Sequence, residues 1–334
     1  MKEYSKRIEI LRAFAIFSVV CAHTIVSDSA SSASSVFVVR LLGPLSLVGV
    51  PLFFFLSGYF FSESEDSFSA FWKKKSIGLM IPSVFCFTFL WLYVALRKGG
   101  FDIKTWIGFV IGTQSTAYYI VSLIVLYLLF WVGKKKKIVA LIGIVLSLAL
   151  YICREIFQLS LADRIFLSQY HNVLYWSIYF CLGMLISLLK KMEVLFKCAK
   201  RLLPLFALAS IIILLFCGFE NKAFTYFNLP SLIIVFILGM TFIGIASLGF
   251  SDKCKFIEKV GNYSFSIYLL HQFFSGLIIH VTRYADCWMS VIIRPFINIV
   301  IVMLVFLILE RINNYSKGKL GFLLNLVGIK KKSR

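Results

Sequence analysis

Apolar runs of helix-spanning length recur from one end of this chain to the other, and they leave few architectures open. About 20 apolar residues cross the ~30 Å hydrocarbon layer of a bilayer as an α-helix. Such runs fall near residues 8–27, 37–61, 77–97, 117–133, 138–153, 171–189, 202–218, 229–249, 261–282 and 289–310. The segments between them are short and charged or turn-rich. Only helices and closed barrels satisfy their backbone polar groups in lipid, and runs this long are not barrel strands. The expectation is an all-α, polytopic membrane bundle of about ten transmembrane helices, with 1–334 as one domain and no appended soluble domain. Asp102 to Thr113 is too short to cross and reads as an interfacial or re-entrant piece.

Composition supports a membrane setting. Sixty per cent of residues are hydrophobic, 15% are charged, and the mean hydropathy is +0.91; soluble domains carry about 25% charged residues. The net charge of +20 sorts by loop. With a cytoplasmic N-terminus, the inside loops hold Lys73, Lys74, Lys75, the four lysines of 134–137, Lys190, Lys191, Lys197, Lys200, Arg201, Lys253, Lys255, Lys259 and the KKKSR tail. The outside loops hold little beyond Arg40, Arg97, Lys98, Lys104, Arg154, Arg164, Lys222, Arg283 and Arg294. That asymmetry predicts a multi-pass cell-membrane protein with both termini cytoplasmic. The charge thus fixes topology and meets anionic lipid, and no folded basic surface suggests nucleic-acid binding. The tail, 311–334, reads as a short basic cytoplasmic element lying on the membrane surface.

The first run carries Arg12 and, eleven residues later, His23. Eleven steps of 100° return to within about 20° of the starting face, so both share one stripe, roughly 16 Å apart. Ionisable groups at bilayer depth cost about 2.5–3.5 kcal/mol on insertion scales, which makes them functional candidates by default. The duller readings are that Arg12 snorkels to the interface and that His23 caps a helix end beside Thr24 and Ser27. His171 and His280 read as interfacial. The eight cysteines are scattered, with no CxxC and no metal-ligand spacing, so no disulfide framework, metal or bound cofactor is expected. Walker, Rossmann, HExxH and GxSxG patterns are missing too.

Several motifs follow one another: IEILRAFAIFSVVCAH, GVPLFFFLSGYF, FWKKKSIGLMIP, AYYIVSLIVLY, YFCLGML and GNYSFSIYLLH. In that order, over almost the whole chain, they resemble the acyltransferase 3 family of integral membrane acyltransferases. Arg12 and His23 fill the family's first-helix positions, and Glu9 stands where aspartate is usual. GNYSFSIYLLH, with Tyr268 and His271, is similar to the family's late segment. The chain departs from the R-x-x-R that many members carry before the third helix. Lys75 and Gly78 stand there, so one basic position is kept as lysine and the other is lost. Arginine grips phosphate with a planar fork and lysine acts as a point charge, so the exchange alters how a donor is held.

The resemblance implies transfer of an acetyl or short acyl group from acyl-CoA to a hydroxyl of a cell-surface or lipid-linked glycan. Acetyl-CoA would be a donor co-substrate. Imidazole titrates near neutrality and is the commonest general base, which suits His23 as base or as acyl relay. Arg12 would contact phosphate or polarise the thioester, oriented by Glu9, and Lys73, Lys74 and Lys75 would meet the polyanionic end of the donor. Ser57, Tyr59, Tyr268 and His271 are tunnel or oxyanion candidates. For Ser57 and Gly58 the plainer alternative is close helix packing, and for His271 a structural interhelical hydrogen bond. The chain is expected to act alone, as a homo-oligomer, or with a separate extracytoplasmic partner. The alternative class is a transporter or flippase of a glycan or small anion, which would also bury a charged stripe but would consume no acyl-CoA.

Overall fold

The computed structural model describes residues 2–25, 32–157, 168–220, 226–249, 255–282, 287–317 and 319–329. Ser27, Arg164, Lys222, Lys253, Cys254, Arg283 and the tail 330–334 lie outside the described residues. Among the described residues every regular element is helical. α1 (Lys2–Thr24) runs through the middle of the bundle, touching α2 (Ala33–Ser46), α3 (Gly49–Glu63), α12 (Leu229–Ala246), α13 (Lys255–Asn262), α14 (Ser264–Thr282) and α15 (Trp288–Tyr315). α4 (Phe68–Lys75) and α5 (Ile81–Lys98) form one long rod through a π-helical turn at Ser76–Met80. The ring of Pro82 meets the carbonyl four residues back, at Gly78, and an inserted π turn is one way to relieve that clash. α6 (Ile103–Ile111) packs on α5 and is capped by Asp102, whose carboxylate accepts from the amides of Lys104 and Thr105.

The remaining helices are α7 (Tyr118–Phe130), α8 (Lys137–Phe157), α9 (Val173–Leu188), α10 (Met192–Arg201), α11 (Leu203–Phe219) and α16 (Gly321–Leu326). All ten apolar runs fall on helices, but the expected count of about ten crossings is an overstatement. Among the described residues seven helices are long and apolar enough, or eight if α10 and α11, bent by 69°, form one broken span. α7 has 13 residues and covers only about 20 Å. α1 carries Arg7, Glu9 and Arg12, too much charge for an ordinary lipid-facing span. Leucine, isoleucine and phenylalanine side chains on α5, α8, α11 and α15 face outward in long rows, which suits lipid and would be untenable in water.

Tight crossings hold the centre. A Cβ on Gly58 would lie 1.9 Å from the carbonyl oxygen of Phe180, and one on Gly183 the same distance from that of Phe55. α3 and α9 therefore touch backbone to backbone, each through the other's glycine. Gly261 does the same for α13, where a Cβ would come within 1.8 Å of the Glu9 carbonyl on α1. The glycine of GNYS is thus a packing residue that docks the late motif onto the first.

The charged loops gather at one end. Arg7 pairs with Glu193 at 3.1 Å and Lys6 with Glu258 at 3.6 Å, joining the start of α1 to α10 and α13. Lys134 donates to the Asp66 carbonyl at 3.1 Å, and Ser62 donates to the Lys134 carbonyl. The tail departs from expectation. After α15 the chain turns back and inserts α16 beside α5, with Leu324 and Ile329 buried and the Cys86 thiol donating to the Leu326 carbonyl. Leu324 and Ile329 find a protein groove, while Phe322 faces outward. The turn between α15 and α16 passes through Lys317 at φ 53°, and beyond α16 the chain bends at Gly328 with φ 78°, a region that favours glycine.

Candidate functional site

A cavity of about 880 Å3 opens at this basic end and reaches into the bundle. Four cations line it: Arg12 from α1, Lys75 from the end of α4, and Lys255 and Lys259 from α13. Gly78 and Leu79 from the π turn also line it, so the altered R-x-x-R position faces the cavity as a gap with no side chain. π-helical turns recur at functional sites because they displace a side chain or open a space within a helix. Glu258 and Glu310 temper the charge, and Tyr263 donates a hydrogen bond to Glu310.

The inner end is aromatic. Tyr119, Leu123 and Tyr127 of α7 line it at four-residue spacing, which is one helix face. The stripe is written in AYYIVSLIVLY as aromatic, leucine and aromatic residues at four-residue spacing. Lys75 donates to the Tyr127 hydroxyl at 3.1 Å and lies 4.7 Å above that ring. Arg12 sits 5.1 Å from the Phe60 ring centre, and Glu9 is close enough to stabilise its charge. Ser57 lines the cavity and meets the Tyr119 hydroxyl at 3.4 Å. Tyr268 closes the end, its hydroxyl donating to the Thr116 carbonyl.

One aromatic layer beyond lie two imidazoles. The His271 ring centre is 6.0 Å from that of Tyr268 and 5.1 Å from that of His23. His271 is fully buried, with Nδ1 2.6 Å from the Tyr268 carbonyl oxygen. Asn298 of α15 donates to the His271 carbonyl at 3.0 Å and to Ser275 at 3.1 Å, while Ser275 donates to the same carbonyl. The partner of His271 lies on α1, at the other end of the chain, where spacing along α14 does not reveal it. His23 stands in the last turn of α1, as its helix-end reading has it, and Thr24 beside it donates back to the Val20 carbonyl at 2.7 Å.

Other candidates lie elsewhere. Lys73 is exposed, and Lys74 is ion-paired with Asp66 at 2.6 Å, so of the three lysines only Lys75 lines the cavity. That pairing holds the Asp66 carboxyl below its ordinary range, chiefly through the Lys74 hydrogen bond. Tyr59 is buried on another face of α3 and donates to Glu63 at 2.5 Å. His171 is buried in the protein, with Nε2 2.7 Å from the Ile111 carbonyl, tying the end of α6 to the start of α9. The inserted segment after α15 also reaches the site. Leu324, Gly328 and Ile329 form part of the cavity wall, with Asn313 and Asn314 at the end of α15.

A bundle of apolar helices around a basic cavity that ends beside two imidazoles has the parts for acyl transfer in a membrane. A family model described as an acyltransferase domain matches residues 5–310. The chain belongs to the acyltransferase 3 family. It is a membrane acyltransferase, and Arg12, Lys75, Tyr268, His23 and His271 all fall inside the matched region, whereas the cavity wall at 324–329 falls beyond it. No curated protein and no solved structure matches the chain.

Proposed function

We propose that this acyltransferase moves an acetyl or other short acyl group from acyl-CoA to a hydroxyl of a cell-surface or lipid-linked glycan. The observation that carries this reading is a basic cavity whose inner wall, at Tyr268, stands one aromatic layer from the imidazole pair. Arg12, Lys75, Lys255 and Lys259 suit a polyanionic donor entering from the basic end, which by the positive-inside rule is cytoplasmic. A volume near 880 Å3 lies toward the upper end of ligand pockets, roughly 300–1,000 Å3. The thioester would reach the inner aromatic layer, with Arg12 and the Ser57 and Tyr119 hydroxyls nearby.

His23 takes the proton of the acceptor hydroxyl as its oxygen attacks the thioester carbonyl. The C–S bond then breaks, and the proton passes to the departing thiolate, so an ester and a free thiol result. General-base assistance of this kind contributes about 10²–10⁴ in rate. The test is thiol release from acetyl-CoA by the full-length protein in detergent with membrane glycans added. It compares wild type with His23→Ala and His280→Ala. Release lost in His23→Ala and kept in His280→Ala supports the mechanism. Unchanged release in His23→Ala overturns the role of His23, and no release by any form moves the chain toward a different donor.

A further inference from the structure

His271 Nε2 is buried and has no hydrogen-bond partner. A buried polar atom left unmade costs about 1–3 kcal/mol, so its position calls for a reason. Its other nitrogen supplies one. Nδ1 lies 2.6 Å from the Tyr268 carbonyl oxygen, and a carbonyl only accepts, so Nδ1 carries the hydrogen. In the neutral ring Nε2 then holds the lone pair. The backbone of α14 thereby selects one tautomer and leaves an acceptor beside α1.

The only other imidazole in contact with it is His23, with ring centres 5.1 Å apart and planes tilted by 47°. Two imidazoles joined by an N–H···N bond of about 2.9 Å have their centres about 5 Å apart. We propose that His271 is the positioning residue of His23. As placed the two rings are close without being hydrogen-bonded; on a turn of the His23 side chain Nε2 would accept the His23 N–H and direct the other His23 nitrogen, lone pair outward, to the reacting hydroxyl. Asn298 and Ser275, both bonded to the His271 carbonyl, anchor that turn of α14. The role is that of an orienting acceptor behind a base, filled by a neutral ring in place of a carboxylate. It rests on the reading of His23 as the base, but its test does not.

The experiment is nitrogen NMR of full-length protein in detergent micelles, labelled with ¹⁵N-histidine. Four histidines make assignment tractable, and His23→Gln identifies one set of resonances. In wild type the two ring nitrogens of His23 are expected to be widely split, as in a single tautomer. In His271→Phe, which fills the space without an acceptor, they should move toward each other as tautomers average. His271→Gln, whose amide oxygen can accept, should restore the split. If the phenyl ring prevents folding, His271→Leu serves the same purpose. A His23 split unchanged in His271→Phe or His271→Leu overturns the proposal, as does a wild-type His23 already averaged. No substrate is needed, so this outcome is independent of whether acetyl-CoA is the donor.

Discussion

Two seams run through the middle of this bundle, and they use small and polar residues for opposite ends. Where α3 crosses α9, Gly58 and Gly183 remove side chains so that backbone meets backbone, and Phe54, Phe61, Trp176 and Phe180 fill the flanks. Where α1 meets α14, two imidazoles fill the gap, backed by serine and asparagine. The first seam is closed by backbone contact and aromatic packing. The second leaves acceptors unmet, which costs stability and gives chemistry a place to act. Residues that share a motif in the sequence, Ser57 with Gly58, divide between these roles: the glycine packs, and the serine faces the cavity.

The contrast is sharpest for His23. His23→Ala should lower acyl transfer by about 10²–10⁴ while the thermal midpoint in detergent stays near wild type; loss of folding instead would make the second seam structural. Gly58→Val or Gly183→Val should do the reverse. Each forces a methyl into a carbonyl less than 2 Å away, at a cost of about 3 kcal/mol or more, read as a lowered midpoint and reduced folded yield. A midpoint unchanged by either valine would mean that the first seam is not closed by glycine. Lys75→Met should raise the donor KM about tenfold, as loss of one charge-assisted contact, with kcat little altered. A fall in kcat alone would move Lys75 from donor binding to the reacting centre.

The smallest effect lies in the exposed loop beside the cavity. Asp66 has its carboxyl held below the ordinary 3.8 by Lys74. A lowered carboxyl contributes stability above its unfolded value and loses it as pH falls through the folded one. The difference in midpoint between wild type and Asp66→Asn should therefore be constant near neutrality and shrink below about pH 4. A difference independent of pH down to that point would show that the pair with Lys74 does not act through charge.

Much of the architecture was legible because it is local. Run length and polarity are enough to predict helices in lipid, and the ten apolar stretches all lie on helices. The stripe of Arg12 and His23 followed from helix periodicity alone, and both end up at the site, one in the cavity wall and one just beyond it. Crossing number was less legible, since α1 and α7 make helices without the length or apolarity of ordinary spans. Among the lysines of the third motif, spacing could not separate Lys75 from Lys73 and Lys74, because the π turn and the pull of Asp66 decide which one faces inward.

The order of helices, the basic character of one end, the family and the first-helix stripe came from the sequence by itself, because each depends on neighbours along the chain. The tertiary structure alone decided the partner of His23, the return of 319–329 into the cavity wall, and the burial of His171 and Tyr59. Those depend on which helix faces meet across the bundle. That choice is made by shape, through glycines such as Gly58 and Gly261 that let particular backbones touch, and an apolar run carries no record of which neighbour it will pack against.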